Sequence, residues 1–107
     1  MPLRPEISHT DARRIIDAIA DEMDARKVGA AVAVVDPHGE LVAFLRSDGC
    51  RLPSINIAIN KAYSAARERT ESAALGNSSR EENFPMTNFG DLRYVGWGGG
   101  LPILSLI

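Results

Sequence analysis

Apolar residues recur at helical spacing in the first third of the chain. Ala12, Ile15, Ile16, Ile19, Ala20 and Met23 form one stripe, while Asp11, Arg13, Arg14, Asp17, Asp21 and Asp24 fall on the opposite side. This spacing predicts an amphipathic helix. Ser8 or Thr10 supplies a capping oxygen, and Asp11 places a negative charge in the first turn, where the helix dipole favours it. The helix is expected to end near Lys27, with Gly29 in the left-handed conformation that often follows a helix. Met1 to Ile7, with two prolines, reads as an arm.

The period then changes. Ala31 to Val35 and Leu41 to Leu45 are short apolar runs joined by Asp36-Pro37-His38-Gly39-Glu40. Asp at the first turn position, Pro with its φ preset at the second and Gly in a left-handed position predict an antiparallel hairpin with a bulge. Neither strand alternates apolar with polar, so both faces are expected to be covered. After Arg46 the polar Ser47-Asp48-Gly49 breaks the strand, and helical spacing returns in Ile55, Ala58, Ile59, Ala62, Ala65 and Ala66. A stripe this rich in alanine lets a helix sit close on a sheet.

Beyond Leu75 the pattern dissolves. Gly76 to Asn83 is polar and without period, and reads as an exposed loop continuing through Phe84-Pro85-Met86 to Asn88-Phe89-Gly90. A connection of this length in a compact domain serves as a lid, a binding loop or a subunit contact. Arg93 to Trp97 is expected as a short strand and Ile103 to Ile107 as another, separated by Gly98-Gly99-Gly100. The last apolar run needs a neighbour for its backbone groups.

The run VVDPHGELVAFLRSDG, followed by INIAINKAYSAA, resembles the GlcG-like family, also called the haem-degrading or HbpS-like domain. Its pattern is Val-Asp-x-x-Gly, then Arg-x-Asp-Gly, then a helix with Lys-Ala-x-x-Ala. Asp36, Gly39, Arg46, Asp48, Gly49, Lys61, Ala62 and Ala65 match it in order. Gly98-Gly99-Gly100-Leu101-Pro102-Ile103 resembles the family's Gly-Gly-x-Pro stretch, whereas the following Gly-Val-Ser-Gly strand and closing helix have no counterpart. The resemblance implies one GlcG-like domain over residues 1–107, incomplete at its C-terminus. It also implies an α/β (α+β) fold, a mainly antiparallel sheet with helices packed on one face in the profilin-like manner. A strand supplied by another copy, a second polypeptide or a cleaved part of the same precursor is expected to complete the sheet.

Composition narrows the partners. A chain of 107 residues, 45% hydrophobic, builds one small core, and with both faces of the hairpin apolar a homo-oligomer, a dimer or larger, is expected. A net charge of -2 offers no basic stripe for nucleic acid. The chain shows neither a signal-like start nor a membrane-length apolar run, so a cytoplasmic location is expected. One cysteine, Cys50, and two separated histidines, His9 and His38, give no disulfide framework and no metal-ligand spacing.

Arg46, Asp48, Cys50 and Lys61 are the candidate ligand-binding residues. In one reading Arg46 and Asp48 pair at a strand end, Lys61 is solvated and Cys50 is a small half-buried side chain. In the other, two cations and a carboxylate surround a cleft that holds a small anionic ligand. Cys50 beside Arg46 or Arg51 also has the setting of a nucleophilic thiolate. The family resemblance implies haem or a related tetrapyrrole as the first ligand. Two other functions compete: an enzyme acting on a small organic or aromatic acid, and a structural subunit without ligand.

Overall fold

The computed structural model describes residues 6–102. In chain order it contains helix α1 (His9–Arg26), strands β1 (Ala31–Val35) and β2 (Leu41–Arg46), helices α2 (Pro53–Glu68) and α3 (Ser72–Glu81), and a single 3₁₀ turn (Met86–Phe89). This is a mixed α+β fold in which helices pack on an antiparallel hairpin, the class read from the sequence. The strand expected over Ile103 to Ile107 lies outside the described residues.

Helix α1 begins as its capping residues dictate. Ser8 is extended, and its hydroxyl accepts the Asp11 N–H at 3.0 Å. At the other end Lys27, with φ 55°, takes the left-handed position, so Gly29 is not needed for that role. Its requirement is space. A Cβ at Gly29 would run into the backbone of Gly49, Asp48 and Cys50, because the loop after β2 lies directly against it. Ser47 fastens that contact, its hydroxyl accepting from the Ala30 N–H at 2.8 Å and its own N–H donating to the Ala30 carbonyl at 2.9 Å.

The hairpin pairs Ala31 with Arg46, Val32 with Leu45, Ala33 with Phe44 and Val34 with Ala43, then slips by one residue between Val34 and Val35. That slip skips Val42 and is separate from the expected bulge, which falls at Gly39 in the turn, between Asp36 and Glu40. In the turn the Asp36 carboxylate accepts from His38 N–H at 2.8 Å and Glu40 N–H at 3.0 Å, while Gly39 sits at φ +93°. Ala12, Ile16 and Val34 form the buried centre, with Ile15, Val32, Ala43 and Leu45 around them. Helix α2 packs mainly on β1, and α3 packs on α2.

Two expectations fail in the second half. Ser72–Glu81 is a helix, and it takes in the first six residues of the stretch from Gly76 to Asn83 that was expected as a loop. Arg69, left-handed at φ 52°, ends α2, and α3 then buries Ser72, Leu75 and Gly76 at i, i+3 and i+4. Two of those three inward positions are a serine and a glycine, so the helical period carries almost no hydrophobic signal. Arg93–Trp97 is irregular, not a strand. Its backbone is held by side chains: Val95 N–H donates to the buried Ser64 hydroxyl at 2.8 Å, and Gly96 lies against the backbone of Gly76.

The Gly29 contact yields a direct stability test. Gly29→Ala forces backbone against backbone, and overpacking of this kind costs about 1–3 kcal/mol. The expected outcome is a lower denaturant midpoint at unchanged slope. A midpoint equal to that of the wild type would show that the loop after β2 moves freely.

Candidate functional site

The end of β2 and the loop after it form a shallow hollow of about 340 Å³ lined by Arg46, Ser47, Asp48, Gly49, Cys50 and Leu52. Three of the four predicted site residues therefore meet here. Arg46 and Asp48 are both exposed, and among the described residues neither makes an ion pair, with the other or elsewhere. The Cys50 thiol is half-buried and donates to the Arg51 carbonyl at 3.3 Å. Gly49, at φ +83°, lets the loop turn, and its geometry depends on the Gly29 contact below it.

Lys61, the fourth, is elsewhere. It lines a groove of about 940 Å³ bounded by every residue of β1, by Ile15, Ile19 and Met23 of α1, by Ile57, Ala58 and Ala62 of α2, and by Gly99–Pro102. The walls are mostly apolar, with Asp36, Ser54 and Arg69 also on the lining. Lys61 makes no ion pair among the described residues. Its ammonium lies 5.9 Å from the ring centre of Trp97, which is 63% exposed, and next to Gly99, where a Cβ would stand 3.5 Å away. Trp97 carried no signal in the sequence beyond its place before three glycines.

A buried hydroxyl presents this mouth. Ser72, the first residue of α3 and fully buried, donates to the Trp97 carbonyl and accepts the Gly100 N–H at 2.8 Å. Its own N–H donates to the Gly100 carbonyl at 3.0 Å. Gly100 passes so near the Lys61 carbonyl and the Ser72 hydroxyl that a Cβ there would clash with both. The three glycines are thus a close passage over α2, clamped by one serine.

A polar cluster missed by the sequence lies on another face of α2, two residues past Lys61. Tyr63, 1% exposed, donates its phenol O–H to Asp91 and accepts from Arg93 Nη2 at 2.7 Å. The Arg93 guanidinium also stacks on the Tyr63 ring, 3.9 Å from its centre. Hydrogen bonds from Arg93, then from Tyr63, hold the Asp91 carboxyl well below the usual carboxylate range. Burial, then the bond to Asp91, pushes the Tyr63 phenol up. Phe89 stacks on Tyr94 at 4.3 Å, and Tyr94 meets Tyr63 edge-on at 5.9 Å. The Phe84 to Phe89 segment, expected as a lid, therefore packs on this cluster and lines neither cavity. His9 and His38, both exposed, line neither as well.

The depressed Asp91 carboxyl makes stability depend on acid. Because the folded value lies below the unfolded one, about 4, its contribution is complete above that value and is lost as the pH falls through the folded range. Asp91→Asn is therefore expected to be less stable than wild type at pH 7, with the gap narrowing towards about pH 3. Denaturant midpoints at both pH values check it. A gap that stays constant would mean that the carboxylate charge is not what matters.

The comparisons with known proteins agree with this architecture. The family model described as haem degrading protein HbpS-like matches residues 7–106. The crystal structure of the Klebsiella pneumoniae protein ORFY superposes with a TM-score of 0.88 at 21% identity, over 99% of this chain and 74% of that one. A double mutant of Streptomyces reticuli HbpS gives 0.86 at 21% identity, over 99% and 70%. At that identity the two structures establish the fold. No curated protein sequence matches the chain. With nearly its whole described length covered by one family model, the chain belongs to the HbpS-like haem-degrading protein family.

Proposed function

We propose that this chain binds a small amphipathic acid, haem or a related tetrapyrrole first, at the mouth formed by Lys61, Trp97 and Gly99. Family membership supports a haem-related role. The observation that carries the reading is Lys61 itself, a cation with no ionic partner among the described residues, held beside an exposed indole at the rim of an apolar groove. A porphyrin offers a flat ring for Trp97 and a propionate for Lys61. No histidine lines the groove, so the fit is to the ring and its carboxylates. Haem iron, when bound, would supply redox and oxygen chemistry, and Lys61 and Trp97 would hold and orient the macrocycle. Arg46, Asp48 and Cys50 stand at the separate hollow, where Arg46 offers a second carboxylate contact.

Titration with haem, followed in the Soret band, tests this directly. Lys61→Ala removes one charge-assisted contact, worth about 1.5–3 kcal/mol, and is expected to weaken binding about ten- to a hundredfold. Protoporphyrin is expected to bind comparably to haem and its dimethyl ester far more weakly. Equal affinity of wild type and Lys61→Ala for haem would move the site elsewhere. Saturable binding of a small carboxylate without any Soret change would overturn the tetrapyrrole and favour a catabolic acid.

A further inference from the structure

No residue of helix α3 lines either cavity, yet the segment that carries Trp97 lies against it. The helix holds that segment at two inward positions four residues apart, which fall one above the other on a helical face. At the first, Ser72 donates to the Trp97 carbonyl and accepts the Gly100 N–H at 2.8 Å. At the second, the buried Gly76 lies against the backbone of Gly96, the residue before Trp97.

Gly76 stands inside the ten-residue α3, where glycine is the poorest helix former after proline. Its φ is not positive, so the backbone conformation does not require it. What requires it is space. A Cβ at Gly76 would run into the Gly96 carbonyl and stand 3.0 Å from the Gly96 Cα. Backbone atoms cannot swing aside as the end of a long side chain can. Nor is the segment free to retreat, because its neighbours are tied on both sides. Val95 N–H is held by the Ser64 hydroxyl at 2.8 Å and the Trp97 carbonyl by Ser72, while a Cβ at Gly96 itself would stand 2.8 Å from Met86 Cε. A methyl group at position 76 must therefore displace the residue next to Trp97. The indole has little slack: its centre is 5.9 Å from the Lys61 ammonium, and a cation–π contact reaches to about 6 Å.

We infer that Gly76 is a positioning residue for the ligand mouth: its missing side chain lets α3 hold residues 96 and 97 at the depth that brings the Trp97 indole to Lys61. The effect on binding rests on that mouth being the ligand site, whereas the placement of the indole rests on geometry alone.

Trp97 is the only tryptophan in the chain, so its indole gives a single set of magnetic-resonance signals. In the ligand-free wild type, nuclear Overhauser contacts are expected between the indole and the Lys61 side chain. They should be lost in Gly76→Ala, which favours the helix, and retained in Ala74→Gly, an exposed position of α3 where the change disfavours it. Haem affinity should fall about two- to tenfold in Gly76→Ala, the range of one aromatic contact, with no further fall when Gly76→Ala is added to Trp97→Ala. Indole contacts that are absent from wild type, or that persist in Gly76→Ala, overturn the inference. Their loss in Ala74→Gly does so too, since helix stability would then be the cause, and so does an additive loss of affinity in the double variant. If Gly76→Ala fails to fold, Gly96→Ala inserts the same methyl from the opposing backbone and is judged by the same contacts. A wild type that shows the indole contacts but binds no haem defeats the ligand reading, and the contacts in the variants still decide the role of Gly76.

Discussion

Two buried serine hydroxyls hold the second half of this molecule in place. From Phe84 onward the described chain has one short 3₁₀ turn and no ladder, yet it lies over α2 and α3 with its backbone partly enclosed. Buried N–H and C=O groups need partners, and without a neighbouring strand they must find side chains. Ser64 receives Val95, and Ser72 receives Gly100 while donating to Trp97. Each hydroxyl both donates and accepts, as Ser64 does by giving its proton to the Asn60 carbonyl at 2.8 Å. Replacing either serine with alanine would leave backbone groups stranded and release the loop that carries Trp97.

The glycines complete that arrangement for a steric reason. Gly76 and Gly96 bring two backbones together, Gly100 crosses the Lys61 carbonyl, and Gly29 accepts the loop after β2. At these four positions the requirement is the absence of a Cβ, with no positive φ involved. The molecule thus joins its irregular parts by backbone apposition, where sequence reading looks first for apolar side chains. This also explains how a small core centred on Ala12, Ile16 and Val34 suffices, since much of the remaining order comes from satisfied polar groups.

What was legible in the sequence follows the same division. Helix α1, the hairpin, its bulge and α2 are governed by hydrophobic period and turn chemistry, and both signals are strong over residues 8–68. Helix α3 escaped because its inward positions are Ser72, Leu75 and Gly76. The irregular course of Arg93–Trp97 escaped because a short apolar stretch was read as a strand when its amides belong to Ser64 and Asp91. The alanine stripe of α2 was read correctly, but its most buried residues, Tyr63 and Ser64, lie on the flank that α3 and the 91–97 segment cover. Of the predicted site residues, proximity in sequence brought Arg46, Asp48 and Cys50 together. Lys61 depends on how α2 lies on β1, and no spacing rule contains that.

The two cavities differ in what they ask of an occupant. The hollow at Arg46 is polar, shallow and made by one loop, so it offers a charge and little enclosure. The groove at β1 has more enclosure, with two cations on its lining, Lys61 and Arg69, and an aromatic neighbour beside Lys61. Lys61, half-buried beside Trp97, stands where the clamped Gly99 and Gly100 pass over α2.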